Sequence, residues 1–172
     1  DSGGLCVKGP DEMQCMKYDK SGACVMMGVL QAAAELGLPI EVHGIAALVE
    51  NMPDGAACRP GDVVRTMSGK TVEVQDTDCE GRLVLADVLT FASRLEPDAL
   101  IDVATLTGSV RDALGKYTAA LVSDDDDLSA ALLRAAGRAG ERFHRFTMDD
   151  ERLCEGLRGT FADLRPYSPE GG

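Results

Sequence analysis

The sequence predicts a mixed α/β domain in which helices flank a mostly parallel sheet. Apolar residues recur at helical spacing in several segments, and short apolar runs rich in β-branched residues stand between them. Such alternation is typical of layered α/β domains. The 172 residues, 45% of them hydrophobic, are enough for one globular domain with a core.

The first half of the chain begins this alternation. Apolar spacing over residues 21–36 predicts a helix that ends before Gly37. Residues 40–48 form an apolar run that predicts a buried strand, and a turn rich in Pro and Gly follows it. Residues 62–66 and 71–74 predict a hairpin with a Ser-Gly turn. This hairpin would place the acidic segment that follows it at a strand end.

The second half continues in the same way. Its predicted elements are helix 81–95, strand 99–104, helix 107–114, strand 117–122 and helix 128–139. Thr107 is placed to cap the second of these helices. The acidic run at residues 124–127 is interpreted as a solvated start of the last helix rather than a cation site, because the helix dipole favours carboxylates there.

Charge and cysteine usage exclude several classes of partner. The net charge of −12 disfavours nucleic acids and anionic membranes, which basic patches usually bind. No apolar run approaches the length of a membrane span. The six cysteines show no C-x-x-C pair and no regular framework, so we expect reduced thiols in a soluble, cytoplasmic protein.

Acidic residues beside glycine or small residues are the strongest candidates for chemistry. They are Asp1, Asp19 and the pair Asp78 and Glu80. If the pair lies in an extended segment, both side chains face one side, where they could hold a divalent cation. The same residues are also favoured at helix N-termini, and this pattern alone leaves the two interpretations open.

A resemblance over residues 1–163 favours the cation site. The segment at residues 76–83, DTDCEGRL, closely resembles the signature NTDAEGRL of the leucyl (cytosol) aminopeptidase family. Other segments resemble motifs of that family in the family's order: DSGG at 1–4, MKYDKSGA at 16–23, ENMP at 50–53, RPGD at 59–62 and ATLTG at 104–108. The resemblance implies a zinc-exopeptidase-like, three-layer catalytic domain of a homohexameric enzyme that releases N-terminal residues, such as leucine, from peptides.

The resemblance also implies metal ligands. Asp1 and Glu80 would bridge two divalent ions, Zn²⁺ or Mn²⁺. Asp78 would bind the more exchangeable ion and Asp19 the tighter one. Such a pair of ions would activate water for attack on the peptide carbonyl.

Further roles follow from the same resemblance. Lys8 matches the catalytic lysine, an electrophile that stabilises the developing oxyanion. Arg82 matches the arginine that holds bicarbonate, which would act as the general base. Neither His43 nor His144 lies in a matching motif, and each is interpreted as a structural residue of the core. The positions that would line the substrate site are Met16, Thr105, Leu106 and Gly108. For Met16 and Leu106, ordinary core packing is the alternative.

The chain departs from the family pattern in three places. Asp76 replaces an asparagine, and Cys79 replaces an alanine, as a small packed residue or a ligand for a softer ion. A further lysine ligand of the family would precede residue 1. The chain starts without Met and stops in a turn-like stretch at residues 170–172. We therefore expect a partial catalytic domain that lacks the N-terminal domain, the start of the catalytic domain and its last elements, and that is nearly inactive alone.

Three kinds of protein fit these observations. The first is a metalloaminopeptidase, the second an inactive homologue that serves as an oligomerising or binding module, and the third another two-metal hydrolase such as a phosphoesterase. Retention of Lys8, Arg82 and the visible ligands favours the first over the second. The chain shows no Gly-rich phosphate cradle with a lysine, which counts against the third.

Overall fold

The computed structural model of the protein describes residues 1–148 and 151–168. The turn-like end predicted at residues 170–172 lies outside this description. The chain divides into two compact units. Unit 1 comprises Asp1–Leu106 with Leu157–Gly172, and unit 2 comprises Thr107–Gly156. No described helix combines the length and the apolar character that crossing a bilayer requires.

The described part of unit 1 contains the α-helices α1 (Pro10–Met13), α2 (Ser21–Glu35) and α3 (Glu80–Ser93). The helices predicted at residues 21–36 and 81–95 are thereby confirmed. The acidic segment, however, does not lie in an extended strand end. Thr77–Cys79 forms a 3-10 turn that leads into α3, so Glu80 is the first residue of that helix.

The predicted hairpin is confirmed in unit 1. Strand β1 (Val63–Arg65) pairs antiparallel with β2 (Thr71–Glu73). Leu164 extends this small sheet, since its N–H donates to Thr71 O at 3.0 Å and its carbonyl accepts from Glu73 N at 3.0 Å. The buried apolar residues of unit 1 lie nearby in sequence or on α3: Val72, Val74 and Ala92.

Two carboxylates fasten residues 157–164 to this hairpin. Glu73 is only 6% exposed, and its Oε2 accepts from Thr160 N at 2.8 Å and Phe161 N at 2.7 Å. Oδ2 of Asp163 accepts from the backbone N–H and the hydroxyl of Thr71, each at 2.8 Å. The Phe161 N–H lowers the pKa of Glu73 most, and the Thr71 N–H does the same for the pKa of Asp163.

The strands predicted at residues 40–48 and 99–104 are wrong. Both segments lack ladder hydrogen bonds within the described chain, and their apolar side chains are largely exposed, with Ile40 at 63% and Leu48 at 66%. A strand exists only when a neighbour pairs with its N–H and C=O groups, and no described segment lies in that position. Residues 99–104 instead pass close to α2, where a Cβ on Gly22 would overlap the carbonyl of Val103.

Unit 2 alternates helices and strands. Its elements are α4 (Gly108–Leu114), β3 (Ala119–Val122), α5 (Asp126–Ala139), β4 (Phe143–Phe146) and α6 (Glu151–Glu155). Strand β3 runs parallel to β4. The sequence predicted α4, β3 and α5, but not β4 or α6. The described chain thus has a mixed α/β fold, but the mostly parallel sheet is replaced by two separate two-stranded sheets, one antiparallel and one parallel.

The helix starts of unit 2 test the capping predictions. Asp125 caps α5, because its Oδ1 accepts from Leu128 N at 2.8 Å. Asp126 pairs with Arg145 at 2.7 Å. These contacts confirm that the acidic run is a helix start. Thr107 occupies the N-cap position of α4, but its side chain makes no capping hydrogen bond.

We expect acid to loosen the turn that Glu73 holds. The folded-state pKa of Glu73 lies below its ordinary value. Its stabilising contribution is therefore complete above the unfolded-state pKa and is lost as the pH falls through the folded-state pKa. The Glu73→Gln variant should melt a few degrees below the wild type at pH 7, and this gap should shrink in acid, as followed by thermal unfolding from pH 7 to pH 3.

The matched control is Glu12→Gln, which changes an exposed carboxylate on α1 and should leave the melting temperature unchanged. A gap between Glu73→Gln and the wild type that stays constant across the whole pH range would contradict this account.

Candidate metal centre

Three of the predicted acidic ligands converge in unit 1. Carboxylate oxygens of Asp1, Asp19 and Glu80 lie within 4.8 Å of one another. Asp1 comes from the first segment, Asp19 follows a 3-10 turn at Met16–Tyr18, and Glu80 begins α3. Tertiary folding therefore collects carboxylates from three distant points of the sequence, and we call them the acidic cluster.

The donor chemistry of the acidic cluster fits a divalent cation. Oε2 of Glu80 is buried and has no hydrogen-bond partner among the described residues. Burial raises the pKa of Glu80, and the carboxylate of Asp78 raises it further. A buried carboxylate oxygen without a partner is costly, whereas hard divalent ions prefer such oxygens as ligands. An ion at this position would compensate the charge that burial penalises.

Lys8 lies beside the acidic cluster. Its Nζ forms an ion pair with Oδ2 of Asp1 at 3.1 Å and a second with Oδ1 of Asp78. The side chains of Lys8 and Asp1 are only 13% and 11% exposed. Asp78 is the predicted ligand that does not belong to the acidic cluster, and Lys8 connects it to Asp1. The structure thus brings the predicted catalytic lysine together with the predicted ligands.

The carboxylate of Asp1 is oriented by two donors. Its Oδ1 accepts from Gly3 N at 2.8 Å and from Asn51 Nδ2 at 3.1 Å, while Oδ2 faces Lys8. Asn51 also donates to the carbonyl of Thr77 at 2.9 Å. Sequence reasoning assigned Asn51 no function, although its ENMP segment matched a family motif.

The Gly3-Gly4 turn allows these groups to approach. Both glycines have positive φ, +86° and +65°. A Cβ on Gly4 would lie 2.6 Å from Oδ1 of Asn51 and 3.1 Å from Oγ1 of Thr77. The Thr77 hydroxyl donates to Gly3 O at 2.5 Å and accepts from Cys6 N at 2.8 Å. Thr77, which is buried, therefore ties the first segment to the turn before α3.

The four predicted substrate residues differ in their surroundings. The Thr105 hydroxyl donates to Oδ1 of Asp19 at 2.7 Å, so this residue touches a predicted ligand. Leu106 is 46% exposed, and its Cδ1 lies 3.1 Å from where a Cβ on Gly81 would stand. Such exposure does not support the core-packing alternative for Leu106. Met16 is half-buried, and Gly108 begins α4 in unit 2.

Arg82 lies in the first turn of α3. Its Nη1 donates to the carbonyl of Pro166 at 2.7 Å, and Pro166 is buried. The turn held by Glu73 and Asp163 precedes Pro166 in the chain. The guanidinium is therefore bonded to the backbone at Pro166 instead of extending freely into solvent.

The departures from the family pattern have local explanations. Asp76 caps the turn before α3, because its Oδ1 accepts from Asp78 N at 2.9 Å. Burial raises the pKa of the Cys79 thiol, and the negative charge of Asp76 raises it further. A partly buried, protonated thiol supports the interpretation of Cys79 as a small packed residue. All six cysteines are free.

The histidines contribute nothing to the acidic cluster. His43 is exposed and contacts Glu41 at 2.8 Å, so its prediction as a core residue is wrong. The strand expected to bury it does not form. His144 lies on β4 of unit 2, where its ring packs edge-on against that of Phe146 at 5.0 Å, and it too is exposed.

Comparisons with known proteins give a consistent result. The profile of the cytosol aminopeptidase family, catalytic domain, matches residues 1–172. The chain is 50% identical over 164 residues to a "Probable cytosol aminopeptidase" of Aquifex aeolicus (strain VF5), covering 95% of this chain and 33% of that protein.

Two solved structures of one enzyme have the same fold. The bottromycin maturation enzyme BotP in complex with Mn matches with a TM-score of 0.93 and 48% identity, over 100% of this chain and 38% of BotP. A second BotP structure matches with a TM-score of 0.91 and 47% identity, over 100% and 37%. The chain spans about a third of the length of the relatives that it matches.

We expect Gly4→Ala to damage the turn that orients Asp1. The left-handed conformation costs a non-glycine residue about 1–2 kcal/mol, and crowding against Asn51 adds about 1–3 kcal/mol. The free energy of unfolding, measured in urea, should fall by the sum of these contributions.

Gly37→Ala is the control, because Gly37 has nearly the same φ, +60°, and nothing within 4 Å of an added Cβ. It should show the backbone cost alone. Equal losses in the two variants would mean that the contact between Gly4 and Asn51 has no energetic weight.

Proposed function

Because the chain belongs to the cytosol aminopeptidase family, we propose that it carries the catalytic centre of a metal-dependent aminopeptidase that releases N-terminal residues from peptides. The observation that carries the proposal is the acidic cluster of Asp1, Asp19 and Glu80 with Lys8 paired at its edge. An inactive homologue would have no reason to keep these groups together, and a divalent cation would share the charge that the carboxylates bring to one place.

The cluster residues, together with Asp78, would hold two divalent ions. The partnerless, buried oxygen of Glu80 supports this assignment, and the Mn named with BotP supports manganese as one suitable metal, with zinc as the alternative. Two such ions would supply an activated water and a Lewis acid for the scissile carbonyl. The chain's own contribution is to bring four carboxylates together and to orient them.

Lys8 would act on the substrate carbonyl. Its ammonium stands between Asp1 and Asp78, so it is held at the cluster by charge and can donate to an oxygen that becomes negative during attack. A donor fixed in advance stabilises that developing charge more than it stabilises the neutral carbonyl. Lys8 is therefore assigned as the electrophile.

Arg82 would hold bicarbonate as the proton acceptor. A guanidinium stays protonated and offers paired N–H donors that match a planar oxyanion. Its bond to Pro166 O fixes the side chain in the first turn of α3, where the N-terminal end of the helix also favours an anion. Bicarbonate held in this way would serve as the base, so that no histidine would be needed.

The substrate side chain would meet apolar surface near α3. Leu106, half exposed beside Gly81, and Met16 are suited to an aliphatic N-terminal residue such as leucine. Thr105, bound to Asp19, would align the substrate backbone, and Gly108 is proposed for the same role from the family motif. The homohexameric assembly and the cytoplasmic location are likewise proposed from the resemblance.

We expect the intact protein, loaded with Mn²⁺ or Zn²⁺, to hydrolyse a leucine anilide. Glu80→Ala should lower kcat/KM by on the order of 10³-fold or more, since metal catalysis contributes several kcal/mol. Release of the chromophore measures the rate. The control is Glu41→Ala, which removes an exposed glutamate that is not part of the acidic cluster and should retain the wild-type rate. Full activity of Glu80→Ala would refute the assignment, and cleavage of a phosphoester instead of the anilide would favour the competing hydrolase.

We expect Arg82→Lys to impair the proposed proton transfer without weakening substrate binding. A positioned base contributes about 10²–10⁴-fold, so kcat should fall within that range while KM changes little. In bicarbonate-depleted buffer, added bicarbonate should stimulate the wild type and not the variant. Stimulation of both proteins by the same factor would remove Arg82 from this role.

A further inference from the structure

We infer that Asn51 is a positioning residue for the metal centre, whose side-chain amide sets the orientation of the Asp1 carboxylate relative to the turn that carries Asp78 and Glu80. This inference rests on the proposed function, because it presupposes that the acidic cluster holds divalent ions. It concerns a residue that lies outside the cluster and that no other part of the proposed mechanism uses.

The amide of Asn51 joins two ligand-bearing segments. Nδ2 donates to Oδ1 of Asp1 at 3.1 Å and to the carbonyl of Thr77 at 2.9 Å. Thr77 immediately precedes Asp78, and Glu80 follows two residues later. One nitrogen therefore spans the first segment of the chain and the start of the turn before α3.

The geometry requires a nitrogen with two N–H donors at this position, which the short, uncharged amide of Asn51 supplies. Both partners are acceptors, so the group between them must supply two N–H donors from a single atom, which a primary amide does and a hydroxyl or carboxylate does not. The same partners fix which end of the amide is nitrogen, because an oxygen there would face two other oxygens. Oδ1 of Asn51 instead points to Gly4, where a Cβ would come within 2.6 Å.

The backbone of Asn51 is held as firmly as its side chain. Its carbonyl accepts from the N–H of Ser2 at 2.8 Å and from the hydroxyl of Ser2 at 2.8 Å. Ser2 is buried and adjacent to Asp1. The amide therefore contacts Asp1 from a fixed base, and the half-buried side chain has little freedom to rotate away.

As a consequence, the two carboxylate oxygens of Asp1 have different partners. Oδ1 is used by Gly3 N and Asn51 Nδ2, which leaves Oδ2 to pair with Lys8. Without Asn51, Oδ1 of Asp1 keeps the Gly3 N–H and Oδ2 keeps Lys8, but the donor that ties Asp1 to the turn before α3 is lost, and the carbonyl of Thr77 loses a partner. Removing such an outer hydrogen bond to a ligand typically weakens metal binding by about 10–100-fold.

The test is a calorimetric titration of the metal-free intact protein with Mn²⁺. Asn51→Leu replaces the amide with an apolar group of similar size, and Asn51→Ala offers a second variant with less crowding at Gly4. The matched control is Met52→Ala, which truncates the neighbouring exposed side chain. Thermal unfolding of each metal-free variant shows whether it is folded, and leucine anilide hydrolysis is measured in parallel.

The expected result is a folded Asn51 variant whose Kd for Mn²⁺ is about 10–100-fold higher than that of the wild type, with the control unchanged. A folded variant with a lower melting temperature but an unchanged Kd would show a merely structural role and overturn the inference. If Asn51→Leu does not fold, Asn51→Ala decides by the same criterion.

The two hypotheses fail in distinguishable ways. A wild-type protein that binds Mn²⁺ more tightly than the variants but does not hydrolyse the anilide would refute the proposed function and leave the role of Asn51 standing. A wild type that hydrolyses the anilide while the variants bind Mn²⁺ equally well refutes only the inference. A wild type that binds no Mn²⁺ overturns the inference, and a wild type that hydrolyses no anilide with either Mn²⁺ or Zn²⁺ overturns the proposed function as well.

Discussion

The site depends on keeping like charges together in a partly buried place. Asp1, Asp19 and Glu80 present carboxylate oxygens within 4.8 Å of one another, an arrangement that is stabilised when positive charge or N–H donors compensate the negative charge. Lys8 supplies one compensating charge, and backbone and amide N–H groups supply the rest at Asp1. The oxygen of Glu80 that lacks a partner is where this compensation is incomplete, and the proposed cations complete it.

The surrounding chain is built to hold the carboxylates in place. Two glycines with positive φ let the first segment turn under Asn51 and Thr77, and Thr77 bonds back to Gly3. At a second point, Thr105 fastens Asp19 from the segment that approaches α2 at Gly22. These fastenings are short polar contacts between segments far apart in sequence. They restrict the rotation of the side chains that they join.

Residues beside the acidic cluster shape its surroundings without being ligands. Asp76 is a turn cap, Cys79 is a partly buried thiol with a raised pKa, and Asn51 is a double donor. None of them needs to touch a substrate to matter. Asp76 and Asn51 hold the ligand segments in fixed directions, and the direction of a carboxylate decides whether a cation can be shared.

The sequence by itself determined the helices at residues 21–36 and 81–95, the hairpin, the acidic residues and the family, because periodicity, turn residues and motif spacing are local properties. Tertiary structure decided the rest. The apolar runs at 40–48 and 99–104 predicted strands that do not form, because strand formation requires a pairing partner that periodicity does not specify. Likewise, sequence could not show that Lys8 joins Asp78 to Asp1, or that Asn51 orients Asp1, since such contacts depend on three-dimensional placement.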